Sequence, residues 1–353
     1  MEGQPIAQPV AGPACYGERM AFRHARRVLP WVAGAAIAAV MVAFEIHRAT
    51  ASRARTLHPA RGGAIGAAQP GGAPMRRALA HDLSPGSLRF AVIGDPGRGD
   101  ALQIETAAEL TRWRDLFDFS FVLMLGDNIY PSGAPTDFID RFEQPYTALL
   151  GDGVTFYAVR GDHDPPGIFT YPPFHMNGQR YYTFTERTGL LAGRREVQFF
   201  ALDTAQIDAG EREWLARTLA ASTADWRIAF YHHPLYTSGR YRVRAMRTRA
   251  ALESLFLAHH VQVGFSGHEH VYERIVPEHG VQYFTSGAGG ALRQGDIRRS
   301  SILATGFDGD THFMLVELGH DVMHFQVISR TGSTIDYGIV SRKVEDRETP
   351  SLR

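Results

Sequence analysis

Three times in the first half of the folded part of this chain, an apolar run stops at a Gly-Asp pair. Leu88–Ile93 leads into Gly94-Asp95, Phe119–Leu125 into Gly126-Asp127, and Val154–Val159 into Gly161-Asp162. Short apolar runs bounded by turn residues suit strands buried on both faces. Residues 101–117 carry Leu102, Ala108, Leu110, Trp113 and Leu116 at helical spacing, and residues 137–150 read as a second helix. The order β-α-β-α-β implies parallel strands joined by right-handed crossovers. Parallel strands deliver their C-terminal loops to one sheet edge, where open α/β sheets place ligands. Three carboxylates are therefore expected to meet there, with Tyr130 returning toward Asp127.

The second half repeats the rhythm with imidazoles. Residues 181–185 and 196–203 read as a strand pair, 208–220 as a helix, and 226–231 as a strand ending in His232-His233-Pro234-Leu235-Tyr236. Residues 245–259 read as a helix, and 261–265 as a strand ending in Gly267-His268-Glu269-His270. Later strands, at 271–276, 281–284, 313–318, 322–328 and 334–340, suit a second sheet, mixed or antiparallel. The glycine-rich stretch Ser286–Gly290 reads as a mobile loop between them.

Composition narrows the chemistry. The 353 residues allow a sizeable core, and the zero formal net charge leaves no basic footprint for nucleic acid. The single cysteine, Cys15, excludes a disulfide framework and a cysteine metal cage. A metal would need His, carboxylate, Tyr or amide ligands, which favours iron, manganese or zinc.

The N-terminal region reads differently. Residues 1–27 form a basic tail. Residues 28–44 are apolar and uncharged, at the short end of the ~17–25 needed to span a bilayer. Preceding arginines imply an inside N-terminus and an exported remainder, periplasmic or extracellular, with the segment either a cleaved signal core or a retained membrane anchor. Residues 45–86 read as a flexible Ala/Gly/Pro-rich linker, 87–342 as the folded domain and 343–353 as a C-terminal tail.

Five strand ends thus carry Asp95; Asp127 with Tyr130; Asp162 with His163; His232; and His268 with His270. Facing carboxylates and imidazoles are costly unless paired or bound to cations, so the pattern points to a two-metal site. The ordered motifs GDPGRG, GDNIY, GDHD, HHPLY and GHEHVYER resemble those of the purple acid phosphatases, of the small single-domain type, within the calcineurin-like metallophosphoesterases.

That resemblance covers about 88–340. It implies an α/β fold of four layers, αββα: two mixed sheets face to face with helices outside. It assigns Fe3+ to Asp95, Asp127, Tyr130 and His270. A second ion (Fe2+, Zn2+ or Mn2+) would take Asp127 as bridge with Asp162, His232 and His268. The implied reaction is hydrolysis of a phosphomonoester by attack of metal-bound hydroxide on phosphorus, with His163 protonating the leaving group.

Asn128 and Asp164 are candidates to support the ligands, and His233 and Arg240 to touch them or the substrate. One position departs from the family, which has asparagine where this chain has Asp162. Either a carboxylate oxygen there replaces the amide oxygen and coordination survives, or the added charge lowers the site's Lewis acidity and repels phosphate; metal binding is expected to persist, with altered metal preference or reduced rate. Two alternatives are a phosphodiesterase of the same superfamily and a catalytically weakened phosphate- or partner-binding protein.

Overall fold

The computed structural model describes residues 85–130, 134–189 and 195–342. The basic tail, the segment 28–44, the linker as far as residue 84 and the C-terminal tail lie outside them. Among the described residues no helix is long and apolar enough to cross a membrane.

Among the described residues thirteen strands form two sheets. In the first sheet, strands β1 (Leu88–Ile93), β2 (Phe121–Met124) and β3 (Thr155–Ala158) run parallel, as the crossover pattern requires. The second begins with the antiparallel pair β4 (Tyr182–Thr188) and β5 (Arg195–Leu202). It continues through parallel β6 (Trp226–Tyr231), β7 (Val263–Ser266) and β9 (Gln282–Ser286), with β8 (Tyr272–Ile275) and β10 (Leu303–Phe307) antiparallel at the far side.

The C-terminal strands differ from the sequence expectation. Strands β11 (His312–Leu318), β12 (Val322–Ser329) and β13 (Thr334–Ser341) do not join the second sheet. They extend the first, with β11 antiparallel to β1. Both sheets are therefore mixed. Strand β10 was not expected from the sequence, because an edge strand that alternates half-buried with exposed residues and contains Gly306 gives a weak apolar signal.

Period-two alternation divides the core into layers. Phe199 and Ala201 on β5 join the cluster between the sheets, whereas Phe200 and Leu202 join a second cluster with Leu215, Leu219, Leu252 and Phe256 of the helices Ala209–Ala221 and Arg242–Ala258. On the other side, helix Ala101–Phe117 buries Ala107, Leu110, Trp113 and Phe117 in the first cluster. The Asp100 carboxylate caps this helix by accepting from the Gln103 N–H, 3.3 Å, and Asp208 caps Ala209–Ala221 by accepting from Glu211, 2.8 Å. The result is the helix–sheet–sheet–helix stack that the sequence reading expected. Aromatic rings lock the sheets together: Phe199 meets Phe90 edge-on at 5.4 Å and Phe121 at 5.5 Å, and stacks on Phe184 at 4.8 Å.

Two further expectations need correction. The stretch read as one helix over 137–150 is broken into Pro135–Phe138, a π-turn at Ile139–Glu143 and Thr147–Gly151. Pro145 accounts for the break, since it lacks the N–H that a continuous helix needs there. The loop Ser286–Gly290 is buried throughout rather than mobile. Its Gly289 N–H donates to Gly94 O at 2.8 Å, and a Cβ on Gly287 would lie 2.2 Å from Glu269 O. Glycine here serves close backbone approach.

Phe199 is fully buried at the junction of both sheets, so Phe199→Ala should destabilise the fold by about 3–5 kcal/mol in equilibrium denaturation. Leu116 is 56% exposed, and Leu116→Ala should change stability by no more than about 0.5 kcal/mol.

Candidate metal centre

The C-terminal ends of β1, β2 and β3 and of β6 and β7 meet at one edge of the sandwich, and hydrogen bonds tie the two sheets together there. The His268 N–H donates to Asp95 Oδ2 at 2.8 Å, and the Gly289 N–H to Gly94 O at 2.8 Å. The backbone turns sharply at this edge. Asp95, Asp127 and His268 have φ of 54°, 51° and 68°, the left-handed region that non-glycine residues seldom occupy. Strain of this kind persists where the surroundings over-determine it, and it concentrates at functional sites.

All seven expected ligands come together, in two groups that share Asp127. In the first, the Tyr130 hydroxyl lies 2.7 Å from Asp127 Oδ2, 3.4 Å from Asp95 Oδ1 and 3.3 Å from His270 Nε2. In the second, His232 Nε2 lies 3.5 Å from Asp127 Oδ1 and 2.9 Å from Asp162 Oδ1, and His268 Nδ1 lies 3.1 Å from the same Asp162 oxygen. Asp127 thus turns Oδ2 to one group and Oδ1 to the other. Ligand atoms of Asp95, Asp127 and His270 fall within 4.8 Å of one another, as do those of Asp162, His232, His233 and His268.

The supporting contacts orient these donors. His232 Nδ1 is 2.9 Å from the Leu125 carbonyl; an N–H donated there leaves Nε2 facing the centre. Asp164 accepts from Ile129 N–H at 2.9 Å, from Gly161 N–H at 2.8 Å and from the Asn128 amide at 2.9 Å. Asn128 also donates to Val159 O at 2.8 Å, and its buried Oδ1 has no protein partner among the described residues. Asp164 and Asn128 therefore brace the loops after β2 and β3 together.

Electrostatics show that the pocket wants positive charge. Burial alone lowers the His232 pKa, but Asp127, Asp95 and Asp162 outweigh it and push it up to about 10. Burial, then Asp95 and Asp127, push the Tyr130 phenol far above its ordinary value. Burial and the Asp127 carboxylate raise Asp164 to about 7. His233 is driven the other way, first by burial and then by His232 and His268, and stays neutral. A proton on His232 occupies the role that a cation fills among these carboxylates. Hard oxygen and imidazole donors in two adjoining groups fit a pair of iron, zinc or manganese ions.

A family profile described as calcineurin-like phosphoesterase matches residues 88–272. The chain belongs to this family. Membership in the calcineurin-like phosphoesterases accounts for the cluster of metal-ligand types at the strand ends, and relatives are acid phosphatases by name. Tartrate-resistant acid phosphatase type 5 of Rattus norvegicus is 24% identical over 301 residues, covering 73% of this chain and 91% of its own. Among solved structures, a purple acid phosphatase from yellow lupin seeds has a TM-score of 0.59 at 17% identity, covering 72% of this chain and 54% of its own. GAP50, described as the anchor in the inner membrane complex of Plasmodium, has a TM-score of 0.66 at 19% identity, covering 74% of this chain and 90% of its own.

Of the remaining candidates, His163 and Arg240 are exposed, whereas His233 is buried beside the second group. His163 has a side chain 51% exposed, its ring 5.0 Å from that of Tyr130 and its backbone N–H donating to Asp127 Oδ1 at 2.9 Å. His233 Nε2 stands 3.6 Å from Asp162 Oδ1. Arg240 contributes a backbone N–H to Glu269 at 3.0 Å, while its side chain is exposed to solvent and touches no candidate ligand among the described residues. Two residues escaped the sequence reading. Buried Glu269 accepts the Arg240 and Tyr241 N–H groups and so anchors the loop beside the site. Arg293 lies over Tyr241 at 5.3 Å, and Tyr241 packs on His268 at 4.5 Å. The signal for Glu269 was its place between two histidines of one strand-end motif.

Stripping metal from the protein should expose these carboxylates to one another. Chelation is expected to cost about 3 kcal/mol or more of stability, read by calorimetry, and Asp127→Asn should shrink the difference between loaded and stripped protein.

Proposed function

We propose that the protein is a two-metal phosphomonoesterase of the acid phosphatase type. The observation that carries this reading is the division of the two Asp127 oxygens between the two donor groups. Asp95, Asp127, Tyr130 and His270 would hold ferric iron, for which a phenolate is a suitable hard ligand. Asp127, Asp162, His232 and His268 would hold a divalent partner, Fe2+, Zn2+ or Mn2+. When bound, such a pair supplies Lewis acidity: it lowers the pKa of water and offsets charge on phosphoryl oxygens.

The chain's own groups do the rest. The His232 tautomer, fixed at Leu125 O, and the hydrogen bonds of Asp164 hold the donors in place before substrate arrives. His163 stands on the open face of the site, where it can reach an ester oxygen and give it a proton as the bond to phosphorus breaks. Its main chain is fixed to Asp127, so that its ring is placed relative to the shared ligand.

Asp162 is the observation that favours a second reading. Its Oδ1 sits between His232 and His268. Burial works to raise its carboxyl pKa, but these imidazoles outweigh burial and hold it well below the usual range. A fixed charge there disfavours phosphate dianion and a hydroxide nucleophile. A weakened enzyme that mainly binds phosphate or a partner would have the same fold, because fold alone does not fix activity. The segment 28–44 as signal or anchor, with the catalytic unit exported, belongs to the same reading and is tested by fractionation with protease accessibility.

Metal-loaded protein should hydrolyse an aryl phosphomonoester faster than the corresponding bis-ester, and His163→Ala should lower kcat about a hundredfold or more. A preference for the bis-ester would make the protein a phosphodiesterase. Tyr130→Phe should abolish a visible phenolate-to-iron band. Asp162→Asn should raise kcat; an unchanged rate would show the carboxylate to be harmless.

A further inference from the structure

A cavity of about 300 Å3 opens where the loop after β5 meets helices Ala209–Ala221 and Arg242–Ala258. Arg212, Arg244 and Arg247 line it together with Thr204, Gln206 and Thr248, and no acidic residue does. None of the candidate metal ligands lines it either.

The acids nearest in sequence are already engaged. Asp203 takes Arg160 at 3.0 Å and Arg180 at 2.7 Å. Asp208 takes Arg180 at 2.8 Å and caps the Glu211 N–H, and Glu211 accepts from Asp203 N–H at 2.8 Å. Arg212, Arg244 and Arg247 form no ion pair among the described residues.

Two exposed arginines on adjoining helices would make only a solvated surface. Arg244 makes the difference. It is half-buried, and its Nη2 donates to the carbonyls of Thr204 and Ala205, both at 3.1 Å. That fixes the guanidinium at the cavity wall and leaves its Nε and Nη1 without an acceptor among the described residues. Three like charges around one concavity repel one another unless an anion sits between them. Guanidinium forks match phosphate oxygens, and the volume exceeds that of a bare phosphate, with hydroxyl and amide groups at hand for a polar body.

We infer that this cavity is a second anion site, distinct from the metal centre, which binds the phosphoryl group of a small molecule. It lies directly behind the centre, since Thr204 Oγ1 accepts the His233 N–H at 2.7 Å.

Equilibrium dialysis of the metal-loaded full chain tests the inference with two probes, radiolabelled inorganic phosphate and a sugar phosphonate that lacks a scissile ester oxygen. The parent should bind two equivalents. The double variant Arg212→Ala/Arg247→Ala should bind one, with affinity at the cavity weakened at least about tenfold. Asp127→Ala should lose the other equivalent. Tighter retention of the phosphonate than of phosphate at the cavity assigns it to a phosphorylated metabolite; equal or weaker retention assigns it to free phosphate. An equivalent count that the double variant leaves unchanged, at an unchanged melting temperature, overturns the inference; a single equivalent in the parent that the double variant loses and Asp127→Ala keeps overturns phosphate binding at the metal centre and upholds the cavity. Stoichiometry is read without turnover, so the result stands apart from whether the metal centre hydrolyses esters.

Discussion

Like charges forced into proximity govern this structure. Asp95, Asp127 and Asp162 end strands whose apolar side chains must be buried, and burial of the strands carries the carboxylates to one edge. The cost of that crowding is offset by positive charge, from imidazolium in the free protein and from metal ions in the proposed enzyme, and by hydrogen bonds from the His268 and His163 N–H groups and the Tyr130 hydroxyl. The left-handed backbone at Asp95, Asp127 and His268 follows from the same demand, since an extended chain would point these side chains away from one another. Packing between the sheets, with Phe90, Phe121 and Phe199 at its middle, holds the two halves of the ligand set in register.

Much of the site was legible because its residues sit immediately after buried strands. An apolar run announces the strand, and the residues just past its carboxyl end in a parallel sheet face the ligand edge. That logic located Asp95, Asp127, Asp162, His232, His268 and His270 without knowledge of the pairing order. The distribution of C-terminal strands between the sheets was not legible. His312–Leu318 is buried on both faces and reads as a core strand for any sheet; its pairing with Leu88–Ile93 depends on partners more than two hundred residues apart in sequence.

Glycine misled in another way. Ser286–Gly290 has the composition of a flexible linker, yet each turn of it packs against Gly94–Asp95 or Glu269, and small residues are needed there for close approach. Glu269 was hidden for a related reason. Its carboxylate serves backbone N–H groups of a loop distant in sequence, a contact that no periodicity records. Arginine pairing was hidden too. Composition displays the arginines but not which of them find a carboxylate, and only the fold reveals that Arg180 meets Asp203, Asp208 and Glu211 while Arg244 turns to backbone carbonyls instead.

Everything in the proposed chemistry turns on Asp127 lying between two cations. Anomalous diffraction from crystals of the purified full chain measures this directly. Two peaks about 3.5–4 Å apart, one on each side of the Asp127 carboxylate, are the predicted result. No peak among these side chains, or a single peak that Asp127 does not touch, would contradict it.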